Sequence, residues 1–107
     1  MKEIKTKQEL LDTLNNSSKP VFVKIGAPWC APCGQIQRTL LDIEGGYAND
    51  YEFFEVDSEE AEDSLIGFLA VYNLPTIVIF KGQDIIFRHS GLLTRPQLTQ
   101  ILDEYKG

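Results

Sequence analysis

The chain predicts an α/β fold: a central mixed β-sheet of four or five strands flanked by helices on both faces. Three observations carry this. Apolar runs rich in β-branched and aromatic residues, at 21–25, 52–57 and 76–80, alternate with stretches whose apolar residues recur at helical spacing. The third run is followed after a tight turn by an antiparallel partner. A last helical stripe closes the chain. Alternation of strand and helix makes parallel neighbours through right-handed crossovers, and a terminal hairpin makes antiparallel ones, so one sheet holds both. With 107 residues, 43% of them hydrophobic, the expectation is a single domain spanning 1–107.

Each element has a local reason. A weak strand around residues 2–5 would bring the sheet from four strands to five. Thr6 and Glu9 have capping-box spacing, and Leu10, Leu11 and Leu14 form a helical stripe. A turn at 15–20 leads to the strand of Val21, Phe22, Val23 and Ile25. The next helix carries Ile36, Leu40 and Leu41 and runs to about Glu44, with Gly45-Gly46 as its stop. After the strand at 52–57, Ser58 reads as the N-cap of a third helix, with Leu65, Ile66, Phe68, Leu69 and Tyr72 on its core face. Pro75 opens the run 76–80, read as a strand buried on both faces. Residues 81–84 form the tight turn and 85–90 return. Thr94 and Gln97 repeat the capping-box spacing before Leu98, Ile101, Leu102 and Tyr105.

The run Trp29-Cys30-Ala31-Pro32-Cys33 stands where the strand at 20–26 gives way to a helix, and it contains the only two cysteines. A C-x-x-C at a strand-to-helix turn is the pattern of a dithiol that opens and closes a disulfide. Residues three apart on a helical turn have Cβ atoms about 5–6 Å apart, close to the span a disulfide bridges. The helix N-terminus offers free N–H donors and partial positive charge to a thiolate. Cys30, at the mouth of the turn, is expected to meet solvent and act as the nucleophile. Cys33, one turn in, is expected to be covered and to resolve the mixed disulfide. Pro32 suits a first helical turn, where its missing N–H costs nothing. A closed zinc site would need more ligands than two cysteines and the one histidine, His89, so no metal is expected.

The net charge is −6, with acids gathered at Asp57, Glu59, Glu60, Glu62 and Asp63. That balance argues against nucleic acid and anionic membrane surfaces as partners. The cluster itself reads as a solvated helix N-terminus. Residues 1–5 lack the apolar core of a signal peptide, and no stretch approaches a membrane span. The expectation is a cytoplasmic, reduced dithiol in a monomer.

Taken together, residues 22–33, Val56-Asp57, Leu74-Pro75-Thr76 and Gly91 resemble the thioredoxin family in order and spacing over nearly the whole chain. The resemblance implies a thioredoxin fold and reduction of protein disulfides through Cys30 and Cys33. It implies a cis Pro75 facing the nucleophile, where the residues alone read as a trans, strand-opening proline. A cis bond there would leave the backbone at Leu74 open to pair with an extended substrate. The resemblance further implies a substrate groove at Trp29, Ala31, Pro32, Leu74, Pro75, Thr76, Gly91 and Leu92, where Gly91 permits close approach. It implies no bound cofactor, because the electrons travel in the cysteines. They would come from NADPH through a flavin-dependent thioredoxin reductase.

Four departures from the family pattern stand out. Ala31 occupies a position usually held by glycine. Lys24 stands where the family places a buried aspartate, six residues before the first cysteine. Phe53 aligns with that aspartate's lysine partner. Arg38 lies near the place of a helix-kinking proline. Lys24 is the departure with chemical consequence: a charged amine beneath Cys33 would favour thiolates, a neutral one could act as a base, and one lying along the apolar surface would snorkel to water. Two other functions remain open on sequence: a disulfide oxidase or isomerase, and a binding module on the same fold with little turnover.

Overall fold

The computed structural model describes residues 1–106. Its elements are β1 (Lys2–Glu3), α1 (Lys7–Asn16), β2 (Val21–Gly26), α2 (Ala31–Ile43), a 3-10 turn (Glu44–Tyr47), β3 (Glu52–Asp57), α3 (Asp63–Leu69), β4 (Thr76–Lys81), β5 (Asp84–Ser90) and α4 (Arg95–Tyr105). The strands form one five-stranded sheet in the order β1-β3-β2-β4-β5. β2 pairs parallel with β3 and antiparallel with β4, and β5 returns antiparallel on β4. The weak strand at the start pairs parallel with β3 and completes the edge.

Every residue of β2 is buried, as are residues 76–80 of β4. Central strands covered on both faces read as continuous apolar runs, which is why these segments lack polar alternation. Successive side chains still go to opposite faces. Val21, Val23, Ile25 and Val78 pack with Leu10 and Leu14 of α1 and Leu65 and Leu69 of α3. Phe22, Ile77 and Ile79 pack with Ile36 and Leu40 of α2 and Leu98 and Leu102 of α4. The sheet therefore carries two helices on each face. On the second face, the hydroxyl of buried Tyr51 donates to the Leu102 carbonyl at 2.8 Å, and burial raises its pKa.

Both capping boxes form. The Thr6 hydroxyl takes the Glu9 N–H while the Glu9 carboxylate takes the Thr6 N–H, and Thr94 and Gln97 repeat the exchange. Each satisfies donors that a helix start leaves free, at about 0.5–2 kcal/mol per cap.

The region between β3 and β4 differs from the sequence reading. Helix α3 begins at Asp63 with Glu62 as its N-cap residue, so Ser58 caps nothing. Residues 58–60 instead turn back, with Ala61 N–H bonded to the Asp57 carbonyl. The Glu62 carboxylate accepts the Lys7 backbone N–H at 2.8 Å and the Ser64 hydroxyl at 2.8 Å, which lowers its pKa and ties α3 to α1. The shorter α3 ends at left-handed Ala70, so Tyr72 falls outside it and is 88% exposed. Phe68 is also exposed, with the Lys7 amine 5.1 Å from its ring centroid. Gly45-Gly46 do not stop the motif helix: it tightens into the 3-10 turn that contains both glycines.

Candidate functional site

Cys30 and Cys33 form a disulfide with Cα atoms 5.2 Å apart. β2 delivers the chain to the sheet's end, residues 27–29 turn, and α2 begins at Ala31 with Cys30 as its N-cap residue. The Cys30 sulfur accepts the Cys33 backbone N–H at 3.3 Å. It thus takes the place a serine or aspartate oxygen holds in an ordinary cap, and the donors that favour a thiolate are aimed at it. Ala31 and Pro32 occupy the exposed first turn. Cys33 is 3% exposed and Cys30 9%. The asymmetry has the expected sign, but Cys30 is more covered than its place at the mouth suggested.

The residues selected from sequence as a groove differ in exposure, and of them Thr76 stands opposite Ile25 near the end of β2. Trp29, 68% exposed, and Leu92 present apolar surface to solvent. The Trp29 indole N–H donates to Glu59 at 2.5 Å, which gives one acid of the cluster a specific task. The Leu74–Pro75 bond is cis, as the resemblance implied. Pro75 is buried, but its carbonyl accepts the Gly91 N–H at 2.8 Å, and Gly91 holds φ at +108°. A side chain at Gly91 would be strained whatever the space around it. Thr76 is buried, and its hydroxyl donates to the Asn73 carbonyl at 2.6 Å and lies 3.0 Å from Ser90 Oγ. It fixes the loop before Pro75 from beneath and offers no surface of its own.

A pocket of about 340 Å³ opens beside the disulfide. Lys24, Gly26, Cys30, Cys33, Gln37 and Glu55 are among its lining residues. Lys24 is 8% exposed and lies opposite Glu55 in the β2–β3 register, with Nζ 3.7 Å from Glu55 Oε2. Burial pushes the amine below the ordinary lysine value, and the Glu55 and Asp57 carboxylates oppose that. Gln37 Nε2 donates to the same Glu55 oxygen at 3.0 Å. Its Oε1 is buried without a hydrogen-bond partner among the described residues. Gly26 keeps the wall thin: a Cβ there would stand 3.1 Å from Cys33 Cβ and 3.3 Å from its sulfur.

Glu55 and Gln37 were not singled out from the sequence. Strand parity and helix spacing hold the signal: 24 and 55 share a sheet face, and 37 lies one turn after 33. Among the described residues no group of three or more His, Cys, Asp or Glu side chains is placed to hold a metal ion. No helix is long and apolar enough to cross a membrane.

The sequence model described as thioredoxin matches residues 2–104. The chain belongs to the thioredoxin family. It is 33% identical to a thioredoxin of Acidithiobacillus ferridurans over 81% of this chain and 80% of that protein. It is 31% identical to chloroplastic thioredoxin M2 of Arabidopsis thaliana over 80% of this chain, which spans about half (46%) of that protein's length. The crystal structure of Fasciola hepatica thioredoxin superposes with a TM-score of 0.89 at 24% identity, covering 99% of this chain and 100% of that one. With its disulfide-forming pair on this fold, the chain is a thiol–disulfide oxidoreductase, and the thioredoxin family acts on disulfide substrates. Thioredoxins carry no bound cofactor.

Proposed function

We propose that this thioredoxin works as a reductase of protein disulfides, with Cys30 as nucleophile and Cys33 as resolving thiol. The observation that carries the assignment is the cap: the Cys30 sulfur accepts the Cys33 N–H at the helix start, while Cys33 is the more covered sulfur. A thiolate is stabilised where the donors point, and the covered thiol is reached only by a disulfide already formed at its neighbour. Exposed Trp29 and Leu92, with Leu74, Pro75 and Gly91, supply an apolar groove for an extended substrate segment, and buried Thr76 holds the loop that carries it. Ala31 and Pro32, exposed on the first turn, complete its rim. Lys24 acts as a modulator of the pair from the pocket side. We assign the chain to a cytoplasmic electron-transport role as a single-domain monomer. It would be re-reduced from NADPH by a flavin-dependent thioredoxin reductase.

Cys33→Ser should trap a mixed disulfide with a disulfide-bearing protein such as insulin, seen as added mass that dithiothreitol removes. Cys30→Ser should trap none. Trapping through Cys33 alone would reverse the roles. The buried Lys24 amine favours a second reading, because a charge that stabilises thiolates makes a dithiol more oxidising. Equilibration with glutathione buffers separates the two. A potential near about −270 mV supports the reductase, and one near about −180 mV or above supports an oxidase or isomerase.

A further inference from the structure

Four groups meet at the pocket, brought there as two pairs by two structural rules. Lys24 and Glu55 face one another because their strands pair in register. Cys33 and Gln37 stack because residues four apart share a helix face. Gly26 lets the cysteine and the lysine stem flank one point: a Cβ placed there would lie 3.3 Å from Cys33 Sγ and 3.8 Å from Lys24 Cδ.

The Gln37 amide is half used. Its N–H group holds Glu55, and its oxygen is buried with no donor. A carboxylate cannot satisfy that oxygen, because it only accepts. A carboxylic acid can. Its O–H would donate to Gln37 Oε1 while its other oxygen keeps the amide N–H, closing a two-bond ring. The site is therefore built to hold Glu55 in both protonation states, and the protonated one repairs an unsatisfied buried acceptor.

We propose that Glu55 is the proton acceptor for Cys33 when the mixed disulfide is resolved, with Lys24 and Gln37 as its positioning residues. The inference rests on the roles proposed above for the two cysteines. In the step, the Cys33 S–H gives its proton to the Glu55 carboxylate across the pocket that both line. The Cys33 sulfur attacks Cys30 Sγ, the bond from Cys30 to the substrate sulfur breaks, and its electron pair leaves on the substrate thiolate. That thiolate takes a proton from water. Over attack and resolution together, the cysteine pair loses two electrons and the substrate disulfide gains them. Glu55 later returns its proton to solvent through the pocket mouth. The charged groups around it are Lys24 on β2, Glu3 opposite it on β1 and Asp57 along its own strand, while the lining from α2 is uncharged.

The test uses the reduced full chain and dithiobis(nitrobenzoate), which releases one coloured thiolate when Cys30 attacks and a second when Cys33 resolves. An ordinary cysteine, with a pKa of about 8.5, is only a few per cent thiolate at about pH 7. For such a thiol, assistance can raise the second step by about thirtyfold. In Glu55→Gln the second release should slow by about tenfold at neutral pH, with the first unchanged. It should then climb about tenfold per pH unit and meet the wild type in alkali. Gln37→Leu, which keeps the carboxylate but loses its cradle, should slow it less, and Glu55→Asp should restore part of the rate. An unchanged second release and pH profile in these variants would overturn the proposal, and if Glu55→Gln does not fold, Gln37→Leu and Glu55→Asp decide by the same reading. If wild type and Cys33→Ser release only the first thiolate alike, the roles of the cysteines fail and the proposal with them.

Discussion

Glu55→Gln in the oxidised protein isolates what the Lys24 pair does for stability. The substitution keeps the size and the Gln37 contact but leaves a buried ammonium facing a neutral amide. Loss of a charge-assisted contact is worth about 1.5–3 kcal/mol, and the 30% exposure of the Glu55 side chain lets solvent screen part of it. The expected loss at about pH 7 is about 1–3 kcal/mol. It also has a ceiling, because the amine can shed its proton at about 1.36 kcal/mol per pH unit below its ordinary value of 10.5. That ceiling is about 5 kcal/mol at about pH 7 and about 0.7 kcal/mol at about pH 10. The sign follows from linkage. The folded amine lies below its unfolded value, so between the two the unfolded chain binds more protons and stability rises with pH. Removing the carboxylate deepens the depression, so the variant gains more than the wild type as pH rises. Urea unfolding of both proteins at the two pH values gives the difference directly, with effects of tyrosine ionisation common to both. A loss as large at about pH 10 as at about pH 7 would refute the reasoning and show that the amine is solvated.

Other outcomes follow from the same contacts. Lys24→Met should be within about 1 kcal/mol of wild type by urea unfolding, because it removes a desolvated charge and leaves Glu55 partly in water. The double variant Lys24→Met with Glu55→Gln should recover most of the single Glu55→Gln loss at neutral pH, checked as a double-mutant cycle. Thr6→Ala and Thr94→Ala should each cost about 0.5–2 kcal/mol in thermal or urea unfolding, and should add, since the boxes sit on separate helices. Gly26→Ala should cost about 1–3 kcal/mol in the oxidised protein, because its Cβ would stand 3.1 Å from that of Cys33.

The elements that sequence reading placed well are those whose local chemistry and tertiary role agree. The two capping boxes and the buried β2 and β4 runs are such cases: a box needs only its own four residues, and a strand covered on both sides announces itself by lacking polar alternation. The α3 region was misread because its decisive contact is non-local. Ser58 has the residue type of a cap, yet the start of α3 lies beside Glu62, whose carboxylate is held by the Lys7 backbone 55 positions away. Phe68 and Tyr72 then fall out of the core, for a helix that starts late and ends at Ala70 cannot carry their stripe inward.

At the site, the cysteines were legible because their chemistry depends on spacing along one turn, while the pocket was not, because it depends on register between strands. Nothing near Lys24 in sequence names Glu55; only the parallel pairing of β2 with β3 sets them side by side. The missing carboxylate at position 24 invites the inference that no acid serves the pair. The fold places an acid on the neighbouring strand, bonded to the helix that carries Cys33. Charges on one sheet face act on the same pocket from whichever strand they come, so the polarity of a site is conserved or changed by the cluster and not by one position. That is why the consequence of Lys24 has to be measured with Glu55 and Gln37 in place: alone it would argue for an oxidant, and its pairing with the Glu55 carboxylate offsets part of that charge.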